Sequence, residues 1–373
     1  MTKFKKIVVI GAGTMGSGIA AHLANSERQV ILLDLKGKES PNQISEKAID
    51  LIKKSDPPLL VERSRLGFIN PGNLTDDFDE IKDADWIIEA VVERIDIKHT
   101  LYNQIDKVRS PHSIVSSNTS TIPLSVLTQE MSDSMKSDFC ITHFFNPVRF
   151  MRLLEIVETP LMNVKKISSL RDFCKNELGK GIVNCNDTPG FIGNRIGVYA
   201  MQVAMYEALD RGLNVEIADA LFGRPLGIPK TGVFGLYDLI GIDLMKDVLA
   251  SFKKELQEND PFMEVVKPHI IVEKLLEKGF TGNKGPGGFY ETKIIDDNEI
   301  VKALNTSDMS YYDFDKVDLD IARRVEKEGI KALLNDESEY GRYAFAVLSK
   351  IINYSAFCIP EVSSKITDID DAL

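Results

Sequence analysis

Apolar and polar positions along the first half of the chain alternate between short continuous apolar runs and helical patterns. Residues 7–10 are a buried strand's worth of apolar side chains. They break on the glycine-rich stretch 11–18, after which residues 19–24 read as helix. A second run, 29–33, closes on Asp34, and a third covers 86–93 ahead of a helical pattern from about Asp96. Shorter runs at 113–117, 139–143, 152–157 and 181–185 continue the alternation, which predicts a mostly parallel sheet flanked by helices. Between the second and third runs lies a polar, lysine-rich insertion, 36–66, with a helix over 44–54, a Pro57-Pro58 break and a short apolar run from Leu59.

The pattern changes at Asp187-Thr188-Pro189-Gly190, a turn signal that opens a helical stretch over 191–210. From there to the end the periodicities are helical, with glycine and proline breaks at 223–232 and 284–288. The expected fold class is α/β, a Rossmann-type doubly wound sheet followed by an all-α helical domain. The expected domains are 1–186 (with the helical insertion 36–66), 187–325, and 326–373 as the start of a second, truncated helical repeat. That repeat rests on residues 193–221, whose Tyr206-Glu207-Ala208 and Ala218-Asp219-Ala220-Leu221 recur loosely in 341–373 as Tyr354-Ser355-Ala356 and Asp370-Asp371-Ala372-Leu373. The first copy runs on past Leu221 into a further helix-like stretch, whereas the second stops at Leu373. The chain is therefore expected to be the front part of a longer protein, with Phe345, Leu348, Ile351 and Ile352 short of cover.

The net charge of −11 excludes nucleic acid and anionic membranes as general partners, since both would be repelled. No apolar run approaches the length of a membrane span, and residues 7–10 are too short for a signal peptide. The four cysteines have neither CxxC nor metal-ligand spacing, so we expect reduced thiols, no metal site and a cytoplasmic location.

Chemistry enters at the first glycine stretch. Gly11-Ala12-Gly13-Thr14-Met15-Gly16, set between strand and helix, is a dinucleotide-binding fingerprint: Gly11 for the turn, Gly13 for approach to a pyrophosphate, Gly16 for close packing. Asp34, 23 residues after Gly11, is suited to accept hydrogen bonds from the adenosine ribose and to repel a 2′-phosphate, which predicts NAD over NADP; the alternative is a solvated strand-end aspartate. Glu93 and the cluster Asn118-Thr119-Ser120-Thr121 fall at strand ends, where such sheets bind ligands, although the cluster also reads as a helix cap. Lys47, Lys53 and Lys54 read as a solvated helix face sooner than a phosphate site. His143, after the apolar 139–141, and Glu155, inside 153–157, are each costly to bury alone. A His–Glu dyad resolves both and would leave one ring nitrogen free as a base; a satisfied core histidine explains the same residues.

Together these motifs resemble the L-3-hydroxyacyl-CoA dehydrogenases of fatty-acid β-oxidation. The resemblance is carried by residues 11–20, Glu89-Ala90-Val91-Val92-Glu93, Ser117-Asn118-Thr119-Ser120, His143-Phe144-Phe145-Asn146-Pro147 and residues 187–195. It implies an NAD-dependent oxidoreductase that converts an (S)-3-hydroxyacyl-CoA to the 3-oxoacyl-CoA. His143 is then the general base, Glu155 its orienting partner, and Ser120 and Asn194 donors to the reacting oxygen. The same resemblance sets Asp34 on the adenosine ribose, Glu93 and Lys98 near the nicotinamide half, and Asn118 beside the nicotinamide. It further implies an acyl-CoA substrate and a homodimer or an intramolecular pseudo-dimer. The insertion 36–66 departs from the family's lysine-rich helical pair, so no coenzyme A contacts are assigned. The interval from Ser120 to His143 is slightly long, and the tail after about residue 295 is similar to large bacterial members fused to an enoyl-CoA hydratase. Two rivals stand beside this reading: a two-domain dehydrogenase of a free hydroxy acid, and a catalytically silent NAD-binding module.

Overall fold

A computed structural model describes residues 4–226, 228, 231–295, 298–314 and 317–373, and divides the chain into two compact units, Met1–Asn194 with Ile359–Leu373, and Arg195–Cys358. The division falls after Asn194, later than the turn at 187–190 suggests, and residues 359–373 leave the segment 326–373 to join the first unit.

In the first unit eight strands form one sheet: β1 (Lys6–Ile10), β2 (Gln29–Asp34), β3 (Ile69–Asn73), β4 (Trp86–Glu89), β5 (Ile114–Ser117), β6 (Phe139–Phe144), β7 (Leu153–Glu158) and β8 (Gly181–Asn184). Their order is β3-β2-β1-β4-β5-β6-β7-β8, parallel as far as β6. Ile7, Val8, Val9, Ile10, Ile87 and Ile88 have no solvent exposure, which explains the continuous apolar runs: a parallel sheet is buried on both faces. The strand order reverses beside β1, so the crevice beyond the C-terminal ends of β1 and β4 is where a sheet of this kind takes a ligand. β7 is antiparallel to β6, and the register sets His143 directly opposite Glu155. Cross-strand partners face the same side of a sheet, so this pairing alone brings the two side chains together.

The strand β3 is absent from the sequence reading. Its residues, Ile-Asn-Pro-Gly-Asn, carry proline and glycine, which suit an edge strand and hide its periodicity. The insertion forms the helix α2 (Gln43–Lys54), tied to β3 by the Ser45 hydroxyl donating to Gly72 O at 2.9 Å. At the other edge, the short helix Ile366–Ala372 lies against β8. Asn186 N–H donates to Val362 O at 2.8 Å, and the Asn186 amide donates to Pro360 O and Glu361 O, both at 2.9 Å. This cover, with Val362 and Ile369 buried, shields an edge that would otherwise offer unpaired backbone.

The second unit is mainly helical. Its helix Glu339–Phe357 packs on the helix that begins at Gly193: Tyr199 and Tyr354 stack at 3.9 Å, and the Tyr343 hydroxyl donates to Ala204 O at 3.2 Å. The leading helices of the two stretches matched as a repeat are thus packing partners within this unit. The expectation of helices alone needs one addition, a three-stranded antiparallel sheet of β9 (Tyr290–Ile295), β10 (Asn298–Asn305) and β11 (Ser310–Asp313). Its strands are short and carry lysines and acids, such as Lys302 directly opposite Asp313, so no apolar alternation marks them.

Candidate active site

β1 ends at Ile10, and the chain turns through Gly11 at φ +103°, where a Cβ would lie 2.4 Å from Ala90 O. A Cβ on Gly16 would lie 1.7 Å from Gly11 O, so packing of turn against helix demands both glycines. Gly13 differs: a Cβ there would meet no protein atom within 4 Å, so nothing inside the protein requires glycine at that position. It caps the N-terminus of α1 (Thr14–Asn25), which has no side-chain cap, and the first-turn amides around Thr14 and Met15 are available to an anion. This is the cradle a dinucleotide's pyrophosphate needs.

Asp34 stands at the end of β2 but is not a solvated strand end. Its Oδ2 accepts the Ala12 N–H at 2.6 Å and its Oδ1 the Leu35 N–H at 2.6 Å, which leaves lone pairs on both oxygens. A cavity of about 580 Å³ adjoins it, with Gly11, Gly13, Val91, Val92, Ile97 and Leu101 among its walls. Mostly apolar walls, with the Asp34 carboxylate and also Asp96 in the lining, suit an adenosine.

At the end of β4 lies a network the sequence reading left out. Glu89, without solvent exposure, accepts hydrogen bonds from Lys98 Nζ (2.6 Å), the Ser117 hydroxyl (2.6 Å), the Tyr102 hydroxyl (2.5 Å) and Val91 N–H (2.8 Å). Lys98, on α3 (Ile95–Val108), is buried and also pairs with Glu93 at 3.2 Å. Burial first, and then the charge of Glu89, raise the Tyr102 hydroxyl well above the usual tyrosine range, so it acts as a fixed donor. Glu93 faces the polar cluster, accepting Ser120 N–H at 3.0 Å and the Thr119 hydroxyl at 2.9 Å. Asn118 Oδ1 accepts Phe144 N–H at 2.9 Å, linking the cluster to the residue after His143. The signal for Glu89 was present, a carboxylate in a run otherwise as apolar as the one around Glu155.

His143 is 5% exposed, and its Nδ1 lies 2.6 Å from Glu155 Oε2. The ring packs between Phe145 at 4.4 Å and Phe191 at 5.8 Å. The other oxygen of Glu155 is held by backbone: Oε1 accepts Ile192 N–H at 2.9 Å and Gly193 N–H at 2.6 Å. Those two amides follow a turn in which Gly190 (φ +72°) and Phe191 (φ +51°) are both left-handed. A left-handed phenylalanine is strained, and such strain collects at functional sites. Cys185 Sγ lies 3.6 Å from the same oxygen; burial and then the Glu155 charge push its thiol up, so it donates as neutral S–H. Glu155 thus ties the histidine to the turn at 190–193. Asn194, half-buried, follows that turn directly, and Ser120 is likewise half-buried.

The chain matches the profile of the 3-hydroxyacyl-CoA dehydrogenase NAD binding domain over residues 6–188 and that of the 3-hydroxyacyl-CoA dehydrogenase C-terminal domain over 190–292. It is 40% identical over 373 residues to a Rickettsia felis protein named, provisionally, a fatty acid oxidation complex trifunctional enzyme, covering all of this chain and 51% of the relative. It thus spans about half the length of that relative. It is 33% identical over 297 residues to the mitochondrial hydroxyacyl-coenzyme A dehydrogenase of Rattus norvegicus, covering 78% of this chain and 91% of the relative. Among solved structures, Mycobacterium tuberculosis FadB2 is similar at TM-score 0.63 and 27% identity, over 77% of this chain and 99% of that one. The fold of Escherichia coli 3-hydroxybutyryl-CoA dehydrogenase is similar at TM-score 0.73 and 23% identity, over 99% of this chain and 88% of that one.

Proposed function

The chain belongs to the 3-hydroxyacyl-CoA dehydrogenase family, and from that premise we propose that it oxidises an (S)-3-hydroxyacyl-CoA to the 3-oxoacyl-CoA with NAD, as a cytoplasmic enzyme of fatty-acid oxidation. The observation that carries this reading is the buried His143–Glu155 pair, held at 2.6 Å across β6 and β7 in the unit that also presents the glycine cradle. Glu155 accepts the proton on Nδ1, so Nε2 is the free nitrogen that takes the substrate hydroxyl proton. The side chains of Ser120 and Asn194 donate to the oxygen as its charge changes. Gly11 to Gly16 hold the pyrophosphate, Asp34 the adenosine ribose, and Glu93, Lys98 and Asn118 border the nicotinamide half. NAD supplies the hydride acceptor when bound.

Within this reading residues 187–325 act as the family's C-terminal domain, which pairs with a like unit in a homodimer or within one chain. Of the side chains expected to lack cover on the helix Glu339–Phe357, Phe345 and Ile352 are exposed and support that pairing, whereas Ile351 is buried and Leu348 half-buried, because this face of the helix packs within its own unit. Among the described residues no helix is long and apolar enough to cross a membrane.

The test is NADH formation from (S)-3-hydroxybutyryl-CoA against free (S)-3-hydroxybutyrate. Binding energy from the coenzyme A moiety is expected to favour the thioester by at least about 100-fold in kcat/KM. Preference for the free acid would support the rival dehydrogenase, and NAD binding without turnover of either would support a silent module. In the same assay NADP is expected to be poorer than NAD by about 100-fold or more, because a 2′-phosphate would face the Asp34 carboxylate. Comparable efficiency with the two cofactors would contradict the role given to Asp34.

A further inference from the structure

We propose that the Glu89 side chain is a positioning group for this reaction, fastening the turn that carries Ser120; the inference rests on the function proposed above. Two of the four donors on Glu89 lead to that one turn. The Ser117 hydroxyl donates to Glu89 at 2.6 Å and itself accepts Thr119 N–H at 3.2 Å. Lys98 bridges from Glu89 (2.6 Å) to Glu93 (3.2 Å), and Glu93 holds Ser120 N–H at 3.0 Å. A backbone tie completes the fastening, Asn118 N–H to Glu89 O at 2.8 Å. The turn is thus held through Ser117, Asn118, Thr119 and Ser120 by ties that run back to one carboxylate or to its own peptide, beside the separate bond from Phe144 N–H to Asn118 Oδ1 at 2.9 Å.

Burial makes Glu89 the member that decides the arrangement. The Lys98 side chain is 1% exposed and that of Glu89 0%, whereas that of Glu93 is 39% exposed. Without the Glu89 charge, a buried ammonium keeps only a partner half in water, a costly state that relaxes by movement of the lysine. Glu93 moves with it and releases Ser120 N–H. The serine hydroxyl is then displaced from the reacting oxygen although no catalytic side chain has been changed.

The experiment is a double-mutant cycle with (S)-3-hydroxybutyryl-CoA and NAD. Glu89→Gln is expected to lower kcat about ten- to a hundredfold, with KM for the thioester within about threefold, since the loss is one of orientation. In a Ser120→Ala background the same change is expected to cost less than about threefold, because the group being positioned is gone. A residue that only supports the fold would cost the same factor in both backgrounds. Should Glu89→Gln not fold, Ser117→Ala leaves every charge paired and runs the same cycle, with a loss of about threefold expected in the parent and none beside Ser120→Ala. Equal losses in the two backgrounds, or a Glu89→Gln protein with more than half the parent kcat, overturn the role of Glu89 alone. A parent protein that fails to turn over the thioester overturns the function beneath it as well.

Discussion

Replacement of His143 by alanine or glutamine is expected to lower turnover by about 10²- to 10⁴-fold, the usual worth of a general base, while NADH binds within about threefold of the parent. The two halves of this expectation come from different parts of the sheet. The histidine lies on β6 between Phe145 and Phe191, with Nδ1 committed to Glu155. The dinucleotide cradle lies at the ends of β1 and β2, and no hydrogen bond of His143 reaches it. Steady-state kcat together with an NADH fluorescence titration measures both halves. A mutant that keeps more than half the parent rate would remove His143 from the chemistry, and a large loss of NADH affinity would make it a cofactor contact.

Glu155→Gln is expected to be nearly as damaging, for a reason its second set of partners supplies. Oε1 faces two backbone N–H donors, Ile192 and Gly193, which can only donate. A glutamine at this position must therefore turn its carbonyl oxygen toward those amides and its NH₂ toward His143. The ring responds by accepting at Nδ1, which puts its proton on Nε2 and removes the base. The wrong tautomer is a documented way to lose most of the rate in a His–carboxylate pair while geometry survives, and about 10²-fold or more is expected here. kcat against pH distinguishes the causes: loss of the base changes the shape of the profile, whereas a profile scaled down without change of shape would mean that Glu155 serves the fold alone.

The dyad also shows how far residue patterns reach. His143 and Glu155 could be paired from sequence because each is a polar side chain in an apolar run and needs a partner, and the antiparallel β6–β7 register supplies that partner in one step. The same rule applied to Glu89 would have flagged it. It would not have identified Lys98, Tyr102 and Ser117 as the donors, since α3 and β5 reach Glu89 only after the sheet is assembled. The amides of Ile192 and Gly193 belong to the same category, because a backbone N–H has no sequence signature and these two follow a turn with two left-handed residues.

By itself the sequence determined what local forces decide: the apolar runs that become strands buried on both faces, the glycines of the β1–α1 turn, the helix within the insertion, and the change at 187–190 from a sheet-based to a helix-based pattern. Only the tertiary structure decided what depends on a distant partner. β3 exists because β2 offers it an edge, and the sheet of β9 to β11 exists because its three strands pair with one another despite their charges. Residues 359–373 lie on β8 because Asn186 and the exposed edge capture them, although their periodicity matches a helix of the other unit. Strand pairing and buried polar networks bind residues tens to hundreds of positions apart, so their energy appears in no local window of the chain.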